Sequence, residues 1–452
     1  MPAGSPRASK SFRSCRPLPS DPKDPAFFDP APVDKELERV TSICAGCRRC
    51  HSLCPSFDYM LEAVDHYEGD VAQVKPAEYR RIVDLCWQCK LCFNHCPYTP
   101  PHRFDLDFPR LILRAKAARA AAEGVTRQDS WLGNVDAVGA FGSATAPLSN
   151  WANGFRPHRL LLEAVVGVHR DRNLPRFHHK TFARWFRERG TAGWAKATVL
   201  KDGGAAALHP KRKIALFYSC SVNYHEPQVG RDTVSILEKN NCELACPAQV
   251  CCGMPYLDGG DMASAAANAR RNIEALAPLV EAGAQVIVPQ PTCSYVLKRE
   301  YPMLAPGAAA DRVAGATRDL FEYLVTRHRE GTLSTDFPGP GPGKVAYQIP
   351  CHLRAQNMGF KTSDILQLIP GTKVRVVEKC TAMDGTWAMK KQNYERSLEF
   401  ARKAAAEMES SVPDTFTTDC SLSALQIEAV RGEKPRHPTS LLREAYGLPE
   451  EH

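Results

Sequence analysis

Cys44-x2-Cys47-x2-Cys50-x3-Cys54-Pro55 and Cys86-x2-Cys89-x2-Cys92-x3-Cys96-Pro97 are two copies of one pattern. This is the spacing by which thiolates hold paired [4Fe–4S] cubanes, the fourth cysteine of each run serving the other cluster. Three closely spaced thiolates cap three corners of a cube. The Cys-Pro step then bends the backbone away. The spacing therefore assigns Cys44, Cys47, Cys50 and Cys96 to one cubane, and Cys86, Cys89, Cys92 and Cys54 to the other. Structural zinc sites also use four cysteines, but they usually pair two Cys-x2-Cys knuckles rather than three linked cysteines and a Cys-Pro. Two neighbouring cubanes form a wire for single electrons.

Around these runs, residues 35–120 are predicted to form a mostly helical ferredoxin-type domain. The 31 residues between Cys54 and Cys86 are long for a minimal ferredoxin. Residues 59–66, 76–85 and 111–122 read as helices. Residues 1–34 recur in proline (Pro17, Pro19, Pro22, Pro25, Pro30, Pro32), hold few apolar side chains, and read as a disordered tail in which Cys15 is incidental.

Composition bounds the rest. The chain has 452 residues, 18 cysteines and a net charge of +8. Two to four domains are expected at this length. Residues 1–20 lack the apolar core of a secretory signal, so the cysteines read as metal ligands or redox groups in a cytoplasmic protein. The longest apolar run, residues 160–168, contains Glu163 and is too short to span a bilayer. The mild positive charge is a weak argument for nucleic acid.

Residues 121–210 change character and read as a basic, Trp-rich helical connector. They hold Trp131, Trp151, Trp185 and Trp194, four of the six tryptophans. Within 155–189, nine Lys/Arg face three Asp/Glu, a net +6. Such a stretch suits peripheral contact with the inner face of the cell membrane, or a partner groove. It equally suits a connector whose tryptophans pack into the next domain.

The C-terminal half carries an internal repeat. An apolar strand ends at Cys220, and another at Cys351, 131 residues later. Cys251-Cys252-Gly253 matches Cys380-Thr381-Ala382 at an offset of 129, and Cys293 matches Cys420 at 127. Strands alternate with helical segments, which predicts parallel α/β units with cysteines at the carboxyl ends of strands. The boundaries read as 211–335 for repeat one and 336–452 for a degenerate repeat two. The whole is an α+β multidomain chain.

Repeat one offers Cys220, Cys251, Cys252 and Cys293 as a third iron–sulfur site. Adjacent cysteines bind two irons of one cluster more easily than one zinc, and Gly253 permits the tight turn. Cys242 and Cys246 read as strand or core packing, with a role as extra ligands as the alternative. Repeat two offers Cys351, Cys380 and Cys420, with His352 as a candidate fourth group or a neighbour of the ligands. Otherwise repeat two is a scaffold.

The two cysteine runs, Cys220-Ser-Val-Asn-Tyr, Cys251-Cys-Gly-Met-Pro-Tyr, Gln290-Pro-Thr-Cys293-Ser, Glu300-Tyr-Pro, Pro350-Cys-His352-Leu and Thr418-Asp-Cys420 together resemble one family. It contains the C subunit of anaerobic glycerol-3-phosphate dehydrogenase, the glycolate oxidase iron–sulfur subunit and heterodisulfide reductase iron–sulfur subunits. The resemblance implies two cysteine-rich CCG domains. It also implies a protein that relays electrons from a flavoprotein dehydrogenase to membrane quinone, or in one branch to a disulfide. No Gly-x-Gly-x-x-Gly follows a strand, so flavin is expected on a partner. Two departures bear on the branch. Thr381-Ala382 replaces Cys-Gly, and Val296 and Ser423 stand where the family pattern has a second Cys of Cys-x2-Cys. These lower the expectation of thiol–disulfide reductase chemistry, which in repeat one remains the alternative to electron relay. A non-redox scaffold with zinc or empty sites is the third reading.

Overall fold

The computed structural model describes residues 22, 24–190, 211–383 and 385–451. Its N-terminal part is helical, as the spacing predicted. Helices Pro30–Cys47, Pro55–His66, Pro76–Leu85 and Phe108–Glu123 each carry proline at their first or second position. Proline suits a helix's first turn because no N–H is needed there and its φ is already helical. Asp29 and Asp107 cap two of these helices by accepting from Ala31 N and Arg110 N.

Order reaches further toward the N-terminus than the tail expected over residues 1–34. Pro25–Phe28 form a 3-10 turn and a helix begins at Pro30. Pro25 and Pro30, two of the prolines that suggest a tail, open these helical turns. Phe27 is buried, its carbonyl accepts from Arg114 Nε at 2.7 Å, and the Arg114 guanidinium lies 5.2 Å from its ring centre. Val33, Leu37 and Val40 recur at helical spacing and bury one face of the helix. Cys15 and Trp194 lie outside the described residues.

Each repeat is built on a parallel sheet. In repeat one, β1 (Arg212–Leu216), β2 (Cys242–Ala245), β3 (Gln285–Val288) and β4 (Thr317–Asp319) lie in the order β2-β1-β3-β4. In repeat two, β5 (Lys344–Gln348), β6 (Lys373–Val377) and β7 (Thr415–Thr417) lie in the order β6-β5-β7. The first strand of each repeat is central, with its two successors on either side. Ile214 pairs with Leu244 and with Gln285 across that centre. Ile214, Ala215 and Leu216, like Val286, Ile287 and Val288, are completely buried, as strands covered on both faces must be.

The repeats do not stand apart. One apolar core joins Ile214, Leu216 and Leu237 to Tyr347, Leu353 and Leu442, and Phe182 and Trp185 of the connector enter it too. The last helix, Pro438–Ala445, belongs to repeat two in sequence but is tied to repeat one: Arg443 pairs with the buried Asp232 at 2.9 Å, and Ser440 Oγ donates to it. The connector is helical through most of Arg127 to Val166, and Trp185 packs inward. Trp131 and Trp151 stay more than half exposed.

Candidate metal centres

The first cysteine run sits where two helices meet. Cys44 and Cys47 close helix Pro30–Cys47, and Cys54 caps helix Pro55–His66. In the second run, Cys86 ends helix Pro76–Leu85, Cys92 lies in helix Leu91–His95, and Cys96 caps that short helix. The residue after the second cysteine of each run is left-handed: Arg48 at φ 55° and Lys90 at φ 65°. Such a residue reverses the chain, so thiols three apart can face one point.

The thiols gather crosswise between the runs. Cys44 has Cys50, Cys96 and Cys47 as its thiol neighbours, and Cys92 has Cys89, Cys86 and Cys54, with Cys50 beyond them. Burial, then these neighbours, pushes the Cys44 thiol up to about 12 and Cys50 up to about 11. Burial does the same to Cys54, Cys86, Cys89 and Cys92. Thiols packed this way keep their protons until a cation replaces them, and thiolate is the form that binds metal. The donor set therefore fits iron–sulfur clusters. Among the described residues no cysteine is in a disulfide.

Repeat one brings its four cysteines together as a chain of contacts. Cys220 Sγ lies 3.9 Å from Cys251 Sγ, Cys251 contacts Cys252, and Cys252 contacts Cys293. Cys220 follows β1, Cys293 follows β3, and the adjacent pair lies in the turn after β2. Gly253 closes that turn at φ 100°. Among the described residues no three His, Cys, Asp or Glu side chains converge as a single-ion site requires. A row of four thiols spreads its donors over a wider group.

The backbone of this turn is held by residues the sequence reading passed over. Asp136, from the connector, accepts from Cys251 N at 2.7 Å. Asn268 and Asn272, four apart on helix Met262–Glu281, both donate to the Cys251 carbonyl, and Asn272 also donates to Tyr301 Oη. Two asparagines at i and i+4 in an alanine-rich helix were the available signal.

Repeat two divides its cysteines. Cys380 lies beside Cys89 of the second run, and Cys420 lies near Cys293 of repeat one. Cys351 opens the helix after β5 and is half-buried. Thr381 and Ser423, two of the positions that depart from the family pattern, hydrogen-bond to each other at 3.0 Å in the interior. His352 has both ring nitrogens engaged: Nε2 with the Gln88 carbonyl at 3.1 Å and Nδ1 with Thr292 Oγ1 at 3.0 Å. It is a bridge between the second run and repeat one rather than a fourth donor. Cys242 bonds to Tyr323 Oη at 3.2 Å, and Cys246 approaches the Leu216 carbonyl, which is the packing role expected of both.

An ion pair fixes the second run against repeat one. Lys90 Nζ lies 3.4 Å from Glu300, and Arg110 lies 3.4 Å from the same carboxylate. Burial alone would raise Glu300, but Lys90 and Arg110 outweigh it and hold its carboxyl below the usual range.

Comparison with known proteins places these features in a family. Residues 214–298 and 345–428 each match the Cysteine-rich domain family, and residues 37–122 match the Citrate utilization protein B Fer4-like domain. The C subunit of anaerobic glycerol-3-phosphate dehydrogenase of Escherichia coli K12 is 30% identical over 348 residues, covering 75% of this chain and 82% of that protein. Lactate utilization protein A of Bacillus cytotoxicus is 27% identical over 219 residues, 46% of this chain and 87% of that protein. The corresponding protein of Geobacillus thermodenitrificans is 28% identical over 192 residues, 39% of this chain and 75% of that protein. A helical domain with two ferredoxin-type cysteine runs, joined to two parallel-sheet cysteine-rich repeats, makes this an iron–sulfur protein of electron transport, and the chain belongs to the family of the anaerobic glycerol-3-phosphate dehydrogenase C subunit.

Proposed function

We propose that the chain relays electrons between a flavoprotein dehydrogenase, of glycerol-3-phosphate or 2-hydroxy-acid type, and membrane quinone. One observation carries this reading: the thiol sets follow one another through the fold. Cys50 of the first set lies near Cys92 of the second, and hydrogen bonds through His352 join Gln88 of the second run to Thr292, the neighbour of Cys293 in repeat one. In the proposed assignment Cys44, Cys47, Cys50 and Cys96 hold one [4Fe–4S] cluster, and Cys86, Cys89, Cys92 and Cys54 hold the other. Cys220, Cys251, Cys252 and Cys293 hold a third centre. Such clusters, when bound, pass single electrons at potentials set by burial and by hydrogen bonds to sulfur. Repeat two serves as scaffold. Its Thr381–Ser423 hydroxyl pair satisfies two buried groups without metal.

The partner follows from the relative whose name makes it part of a dehydrogenase. The connector supports membrane contact. No helix among the described residues is long and apolar enough to cross a bilayer. Trp131, Phe141, Leu148, Trp151, Phe155 and Leu161 are instead exposed along short helices bordered by Arg156 and Arg170. Aromatic side chains beside arginines suit the headgroup level of an anionic membrane.

Iron and acid-labile sulfide per chain after anaerobic purification, with paramagnetic resonance of the reduced protein, test the assignment. Two cubanes give about eight irons, and a third centre adds a further signal. Cys89→Ser removes one cubane signal and electron flow to quinone. Oxidation of the reduced protein by a disulfide without quinone would favour the reductase reading instead, and zinc in place of iron would overturn both.

A further inference from the structure

A cavity of ≈ 360 Å³ opens where helices Pro76–Leu85 and Phe108–Glu123 meet helix Met254–Gly259 of repeat one and the turn Trp387–Met389 of repeat two. Its inner wall touches the second cysteine run. Lys116 Nζ donates to the Cys86 carbonyl at 3.1 Å, and Trp387 Nε1 donates to the Asp84 carbonyl at 2.8 Å. The Trp387 ring lies edge-on to Trp87, with centres 4.9 Å apart.

The polar groups of this wall select their ligand. Most of its charges are already paired: Arg119 with Asp84 at 2.7 Å, Lys390 with Asp129 at 2.6 Å, and Arg80 with Glu123. A neutral molecule enters such walls at a lower cost than an ion, which would need a partner of its own. Arg81, Lys116 and Asp258 stand outside these pairs, and Asp258 is the carboxylate among them. It is 4% exposed, accepts from Thr386 Oγ1 at 3.2 Å through Oδ2, and has no partner at Oδ1. A buried carboxylate oxygen without a donor is costly, and a ligand hydroxyl would satisfy it.

The outer edge of the cavity adjoins the exposed apolar face. Gln128 lines the cavity and donates to the Val166 and Gly167 carbonyls at the end of helix Arg156–Val166. Trp131, three residues on, and Leu161 and Val165 on that helix are all exposed. A ligand dissolved in a membrane under this face reaches the opening without crossing water.

We propose that this cavity binds the ring of a quinone, with Lys116 donating to a ring carbonyl and Asp258 Oδ1 accepting from the ring hydroxyl of the reduced form. This rests on the relay reading above, which supplies the two electrons. The two protons come from solvent and join the two carbonyl oxygens. The test uses the complex of this chain with its dehydrogenase, labelled by light with an azidoquinone, and the peptides identified by mass. Label on residues 76–85, 116–129 or 386–393 is expected. Asp258→Asn and Thr386→Val should each raise the KM for a decyl-substituted benzoquinone, Asp258→Asn by about tenfold for a lost charged hydrogen bond. Iron content and the resonance signals of the reduced variants report whether they fold. Label confined to other peptides, with quinone reduction intact, overturns the cavity and leaves the relay standing. Label in the cavity without quinone reduction upholds the site and removes quinone as the electron acceptor. Neither label nor quinone reduction overturns both.

Discussion

Gly253 and Ala382 occupy matching turns of the two repeats, and both are left-handed, at φ 100° and 52°. A Cβ on Gly253 would meet Ala265 at an ordinary 3.4 Å, so the restriction there is the backbone rather than space. Left-handed geometry costs an L-residue about 1–2 kcal/mol. Gly253→Ala should therefore destabilise by about that amount, and Ala382→Gly should stabilise by up to about 1 kcal/mol. Urea unfolding of the two variants checks the opposite signs. Asp319 offers a second residue-scale test. Burial, then the neighbouring Asp419, lifts its carboxyl from 3.8 to about 8, while Lys298 pulls the other way and Glu322 adds to the rise. The folded chain thus keeps a proton that the unfolded chain has lost. The contribution of Asp319 to stability is full below 3.8, falls as pH rises through the window to about 8, and is flat above it. Asp319→Asn should flatten melting temperature against pH across that window. An unchanged slope would assign the effect to other groups, Asp419 first among them.

At the scale of elements, the connector departs most from ordinary surface. Helices Val135–Ala144, Ala146–Gly154 and Arg156–Val166 are short, and Phe141, Leu148, Trp151, Leu160, Leu161 and Val165 on them are exposed. Trp151 and Phe155 stack at 5.0 Å while both remain exposed. The sequence reading left two roles open for this stretch, and the structure divides them by residue. Trp185 packs into the shared core, whereas Trp131 and Trp151 face out. No periodicity separates those tryptophans, because Trp185 is buried in a core shared with Tyr218 and Val229, which are distant in sequence. Trp151→Ser with Phe155→Ser should cost little stability, within about 0.5 kcal/mol for exposed positions. The same pair should weaken sedimentation with vesicles of anionic lipid. Binding that survives the substitutions would place the membrane contact elsewhere.

At the scale of the molecule, the ferredoxin-type domain and the repeats are locked through buried charge. Glu300 is 1% and Lys90 5% exposed, and they meet between the second cysteine run and repeat one. Removing one partner of a buried pair leaves the other unpaired, at about 3–5 kcal/mol. Glu300→Gln should lower the melting temperature sharply. Lys90→Met combined with Glu300→Leu should recover only part of the loss, because apolar replacement of this pair still leaves Arg110 without the carboxylate. Equal destabilisation by the single and double changes would show that packing, rather than charge, holds this interface.

The sequence by itself determined the cysteine sets, the helical character around them, and the repeat. Each is a local signal, a spacing of three or four residues or a strand followed by a cysteine, and local signals survive in one dimension. It also located the two departures in repeat two. The tertiary structure decided what those departures do: Thr381 and Ser423 are 42 residues apart and meet as a hydroxyl pair. It decided that His352 bridges Gln88 and Thr292, 264 and 60 residues away, and that the last helix returns to repeat one. It also set Asp258 against Lys116 in a cavity walled by four parts of the chain. Such contacts depend on how separate apolar faces pack against one another, and a spacing pattern carries no information about partners that distant.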